Sequence, residues 1–256
     1  MGRRSVNPGR TNKFLIDYAG TKTYTPVTLS ASDMGFDKPK RTYLAFDFFV
    51  EHPFVDGWYG KLSYTWAKSK GNTEGQTKSD DGQTDVSATS TWDFPEIMVG
   101  KYGDLPSDRR HQIKAIGYWQ FQPEWGVGGN FSASSGRPRN CAGNASESVG
   151  DPGGYGSIYA FCSFDGGQTS VATPRGSQGR LPWNVTLDAN LVYQPAYVKG
   201  LKLRFDVFNL FNRQSALARL ETHEPGQDPS TVLSTYGSVV SYSAPRYAKL
   251  SAQYDF

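Results

Sequence analysis

Apolar and polar residues alternate with a period of two in seven stretches of the chain. These are Thr42–Glu51, Trp58–Lys68, Arg110–Phe121, Trp125–Ser135, Trp183–Gln194, Leu201–Phe211 and Tyr247–Phe256. That period sends successive side chains to opposite faces of a β-strand. In Trp183–Gln194 one face reads Trp183, Val185, Leu187, Ala189, Leu191, Tyr193, and the other reads Asn184, Thr186, Asp188, Asn190, Val192, Gln194. Each run is 10 to 12 residues long. Ordinary strands average about five or six residues, whereas a tilted strand crossing a bilayer needs about 9–11.

The apolar faces hold 40 positions and one formal charge, Lys68 at a strand end. The polar faces hold 37 positions and 11 charges. A protein core could impose this split, and so could lipid, where Lys or Arg at the midplane costs roughly 2–4 kcal/mol. Tryptophan placement favours lipid. Trp58, Trp66, Trp119, Trp125 and Trp183 lie on apolar faces at or near strand ends, the positions of interfacial aromatic girdles. Along Leu201–Phe211 the alternation slips at Asn209, leaving Phe208 and Leu210 on the polar side. A bulge or a contact with an interior element would account for this.

The connections alternate short and long: 6, 41, 3, 47, 6 and 35 residues. Loops of that upper length are foreign to a compact soluble domain. Short turns alternating with long loops are the pattern of an outer-membrane barrel. The fold class expected is therefore all-β, a partial transmembrane antiparallel β-barrel of about seven long strands. Short turns would face the periplasm and long loops the exterior. Residues 1–41 then form an extracellular region, with a short strand over Phe14–Tyr18, and 42–256 carry the strands.

Composition agrees and adds exclusions. Gly (28) and Pro (15) beside 14% aromatics suit a β-protein. A net charge of +3 gives no argument for a nucleic-acid partner. No run of 18 apolar residues exists, so no spanning helix is expected. The first residues lack the apolar core of a signal peptide. His52, His111 and His223 form no spaced zinc motif, and no G-x-S-x-G, P-loop or H-E-x-x-H is present. No enzyme activity and no cofactor are expected. Asp80, Asp81 and Asp85 could offer oxygens to Ca²⁺, but the acidic residue that completes a full Ca²⁺ loop is missing, and a solvated loop is the plainer reading.

Three stretches carry a family likeness. Asp206-Val-Phe-Asn-Leu-Phe-Asn212 resembles the penultimate-strand motif of the TonB-dependent outer-membrane receptors. Ala244-Pro-Arg-Tyr-Ala-Lys-Leu-Ser-Ala-Gln-Tyr-Asp-Phe256 resembles their closing strand. Trp92-Asp-Phe-Pro-Glu96 with Leu105-Pro-Ser-Asp-Arg-Arg-His-Gln-Ile-Lys114 resembles the Oar-like branch. The resemblance runs over roughly residues 5–256. It implies a bacterial outer-membrane location and active uptake of a substrate that the sequence does not name. Its partners would be outer-membrane lipid, the barrel-assembly machinery and TonB, the last acting through a plug domain this chain does not carry. Leu250, Tyr254 and Phe256 resemble the terminal assembly signal.

In this topology Cys141 and Cys162 share one extracellular loop, 21 residues apart. A disulfide is plausible at an oxidising surface, with two free thiols as the alternative. Lys61, Arg110, Lys114, Asp188, Lys202, Arg204, Asp206 and Lys249 would face the lumen, lining a substrate path, contacting a plug or simply solvating it. Two rival readings are a small complete outer-membrane barrel acting as a pore or adhesin, with an eighth strand from Phe14–Leu29, and a soluble secreted carbohydrate-binding β-sandwich. Seven strands leave two open edges, which hydrocarbon cannot satisfy. The expectation is a segment of a larger barrel. Expressed alone behind a signal peptide, it should give no heat-modifiable, protease-resistant outer-membrane band; such a band would overturn that reading.

Overall fold

The computed structural model describes residues 11–75, 90–226, 228 and 230–256. Seven long strands dominate it: β1 (Arg41–Val55), β2 (Trp58–Gly71), β3 (His111–Gln122), β4 (Trp125–Ser134), β5 (Asn184–Tyr193), β6 (Leu201–Phe208) and β7 (Tyr247–Tyr254). Each pairs antiparallel with the next in sequence, giving an up-and-down sheet. A two-residue strand, Gly103–Asp104, adds to the loop end of β2. Among the described residues β1 and β7 are each paired on one side only. Among the described residues no helix is long and apolar enough to cross a membrane.

The strands are those the alternation marks, with altered ends. β1 and β2 reach 15 and 14 residues, because their hairpin continues to a two-residue turn at Asp56-Gly57. Both turn residues have positive φ, 53° and 81°, which matches the right-handed twist of the flanking strands. The anticipated six-residue connection is thus mostly strand. At the other extreme β6 stops at Phe208. The slip seen in Leu201–Phe211 is the end of the strand rather than a bulge within it. Asn209 turns left-handed there, at φ 50°, and Asn212 does the same; asparagine tolerates that region best among non-glycine residues.

Register puts every apolar face on one side of the sheet. One row runs Trp58–Trp119–Val127–Leu191–Phe205–Leu250 across six strands. Another runs Leu62–Ala115–Phe131–Leu187. The opposite side carries Glu51–Lys61–Ile116–Asn130–Asp188 and Asn190–Asp206–Lys249. The apolar side is bare: Phe46 is 71% and Leu250 76% exposed. A soluble sandwich would cover it, since burying such a side chain is worth about 1.5–3 kcal/mol.

Aromatic rings mark both borders of this face. Trp58, Trp119 and Trp125 lie at the turn end, where Trp125 stacks on Tyr193 at 4.3 Å. Trp66, His111 and Trp183 lie at the loop end, with the His111 and Trp183 rings 6.0 Å apart. From Tyr193 to Trp183 is about 33 Å along the strand at roughly 3.3 Å per residue. A tilt of about 40° shortens that to about 25 Å, the height of an outer-membrane apolar band.

The segment Phe14–Leu29 does not supply an eighth strand to the sheet. Asn12–Ile16 and Thr25–Leu29 pair only with each other. The buried apolar clusters also lie away from the sheet faces. Ala31, Phe36 and Met98 form one, and Ile97, Tyr159 and Phe161 another, both within the loop region.

Parity on β4 tests the assignment of faces. In the barrel closed by further strands, Phe131→Arg should destabilise folding into phospholipid vesicles by about 2–4 kcal/mol, read as a shift in the urea midpoint. Ser132→Arg, one residue on and facing the other way, should shift it little.

Candidate functional site

The long connections gather at one end of the sheet and pack into a cap. Two of them carry short hairpins, Phe161–Cys162 with Val171–Ala172 and Ala216–Arg219 with Val239–Tyr242. Isolated bridges Ala142↔Thr222 and Gly143↔Tyr159 stitch the loops together. Residues of the Trp92–Glu96 stretch are structural here. Trp92 packs on the Phe36 cluster and Phe94 on the Tyr159 cluster, while Asp93 accepts the Tyr155 hydroxyl.

An ion cluster lies where the cap meets the sheet. The Asp108 side chain is fully buried and takes the Arg110 guanidinium at 2.9 Å and that of Arg180 on the same oxygen. Asp104 takes Arg110 at 3.0 Å and Arg180 at 3.1 Å. The Ser69 amide, near the end of β2, donates to the second Asp108 oxygen at 3.2 Å. Burial pushes the Asp108 carboxyl up, but the hydrogen bonds from Arg180, Arg110 and Ser69 outweigh it and hold it below its ordinary value. A second pair, Arg137 with Glu221 at 3.0 Å, is buried between two loops, and Asn140 holds the other Glu221 oxygen at 2.9 Å.

Glu224 is as deeply buried as Asp108, each 1% exposed. Its carboxylate accepts the Asn144 amide at 2.9 Å and the Ser163 amide at 2.5 Å, and His223 Nδ1 lies 2.7 Å away. Cys141 and Cys162 are joined by a disulfide beside it. In the chain-entropy account such a closure stabilises by about 3 kcal/mol. His223 lies near both sulfurs. Because the sulfurs are bonded to each other, that group offers only an imidazole and a carboxylate, and no thiolate ligand or nucleophile.

The charges read from the sequence divide between seam and sheet. Arg110 belongs to the ion cluster. Lys61 pairs with Glu51 at 2.9 Å and Arg204 with Asp206 at 2.6 Å. Asp188 accepts the Asn209 amide at 2.8 Å and so pins the end of β6. Register puts Lys114, Lys202 and Lys249 on the same polar side. Leu250, Tyr254 and Phe256 are exposed on the apolar side. Asp80, Asp81 and Asp85 lie outside the described residues. Sequence reading missed Asp104, Asp108, Arg137, Arg180, Glu221 and the His223–Glu224 pair. Arg180 with Asp104 and Asp108, and Arg137 with Glu221, join residues 72 to 84 positions apart, for which no local pattern exists.

Asp108→Asn should loosen the seam. Breaking a buried pair costs about 3–5 kcal/mol; the low end applies, because Arg110 and Arg180 keep Asp104 and are 24% and 27% exposed. Hydrogen exchange at the Ser69 and Leu105 amides would read it. A depressed native value means this stabilisation is complete above the unfolded aspartate value and disappears as pH falls through the native one. Exchange corrected for intrinsic rates should therefore accelerate only below about pH 4.

No protein-family model matches the chain. In sequence it is 29% identical, over a 260-residue alignment, to the TonB-dependent transporter Oar of Myxococcus xanthus, covering 86% of this chain and 23% of that protein. In fold it matches the outer-membrane transporter YddB of Escherichia coli at a TM-score of 0.51, with 14% identity, covering 97% of this chain and 29% of the other. The ferripyoverdine receptor of Pseudomonas aeruginosa aligns at a TM-score of 0.45 and 13% identity over 97% of this chain and 23% of its own. The chain thus spans less than a third of each of these proteins. It is part of an antiparallel outer-membrane β-barrel, similar in sequence to a TonB-dependent transporter and in fold to an outer-membrane transporter.

Proposed function

We propose that this chain is the C-terminal wall and loop cap of a TonB-dependent outer-membrane transporter that takes up a substrate actively. The observation that carries the reading is the continuous bare apolar face, bordered by aromatics, with every long loop at one end. Likeness to a TonB-dependent transporter supports it. The open edges of β1 and β7 require partners in hydrocarbon, so further strands would close the barrel. The polar side would then face the lumen, and the cap the exterior. Leu250, Tyr254 and Phe256 would present the apolar face of the last strand to the barrel-assembly machinery. TonB would act through a plug domain outside this chain, and the segment alone would not transport.

The bare apolar face argues against the soluble sandwich, which needs that face covered. A comparison that requires no known substrate tests the transporter reading. In-frame deletion of the segment 41–256 in its native gene should produce growth deficits, across a panel of iron and carbon sources, that form a subset of those of a strain lacking TonB. A deficit that the TonB-less strain does not share would overturn it.

A further inference from the structure

A cavity of about 360 Å³ opens in the cap between the three long loops. Its lining includes Lys101, Arg137, Arg175, Arg219 and one carboxylate, Glu221, with Ile158, Leu220 and Val240 as apolar wall. Volumes of about 300–1,000 Å³ are those of small-molecule sites. The cations are fixed rather than free to sweep solvent. Lys101 is 7% exposed and donates to the Ile158 carbonyl at 2.6 Å. Arg219 donates to the Gly237 carbonyl at 2.5 Å. Arg137 is 8% exposed; one terminal nitrogen holds Glu221, and the other, Nη1, is buried with no hydrogen-bond partner among the described residues. Glu221 is already engaged by Arg137 and Asn140.

Four cations of the lining face a single carboxylate, and partly buried charge left unbalanced is costly unless an anion compensates it. Arginine suits carboxylate or phosphate oxygens by its planar fork of donors. We propose that this cavity is a binding site for a small organic anion, a carboxylate or phosphate monoester carrying an apolar body. Its charged head meets Arg137 and the neighbouring cations, and its body lies on Ile158, Leu220 and Val240. The site belongs to the cap alone. It needs neither the lumen nor a plug, and binding is measured without transport, so its failure would leave the transporter reading standing.

Isothermal titration of the intact protein in detergent with benzoate, phenyl phosphate and benzamide tests it. Benzoate or phenyl phosphate should saturate one site, and the tighter of the two identifies the head group. Benzamide, equal in shape but neutral, should bind at least about tenfold more weakly, the worth of a charge-assisted hydrogen bond. Arg137→Gln should weaken the preferred anion by about tenfold. If that variant disturbs the Glu221 pairing, Val240→Trp, which narrows the cavity at an exposed wall residue and leaves the charges in place, should weaken it also. Lys199→Gln, exposed in the short connection at the far end of the sheet, should change nothing. Equal binding of benzamide, no saturable binding of either anion, or a Lys199→Gln effect as large as that of Arg137→Gln would each overturn the proposal.

Discussion

Hydrocarbon offers a peptide group no hydrogen-bond partner, and the sheet is organised around that fact. Between the two aromatic borders the ladder between neighbouring strands runs without a register shift. The shifts that occur within it, His52/Val55 in the first hairpin and Trp119/Gln122 in the second, lie at the turn end beside or beyond Trp58 and Trp119. Proline obeys the same constraint. The one proline inside a long strand, Pro53, falls in the first of those irregular places, where its missing N–H breaks no regular pairing.

Water returns above the upper border, and the chain changes character there. Backbone becomes irregular, and burial shifts from apolar faces to paired ions. Asp108 reaches back to the Ser69 amide, and Asp188 on β5 reaches forward to the Asn209 amide at the end of β6. These two carboxylates clamp the seam between sheet and cap at two places. Asp108 and Asn209 each lie in a stretch that carries the family likeness. In this chain those short sequences have a mechanical role: they stop strands at one height and hold what lies above.

Strand positions were legible because a face that meets lipid leaves a two-residue periodic record in every strand. The pattern marked all seven strands and their common apolar side, and the tryptophans marked the borders. Strand ends were less legible. Asp56-Gly57 reads as a hairpin turn, yet Pro53 obscured the strand continuing to it. Asn209 ended β6 through a backbone angle that no periodicity reports. The cap was scarcely legible beyond its two cysteines. Arg137 with Glu221, and Arg180 with Asp104 and Asp108, are partners set by how loops fold over one another, and polar loop sequence gives no indication of such pairings.

The first hairpin is closed by only two residues, both in left-handed backbone. A turn of that kind admits neither an extra residue nor most replacements without shifting the register of everything attached to it. The opposite end of the molecule has no such restriction, since its connections already run to tens of residues. Genetic drift by insertion and deletion is therefore channelled to one side of the wall. The long loops can change in length and content while the wall beneath the first hairpin keeps its register.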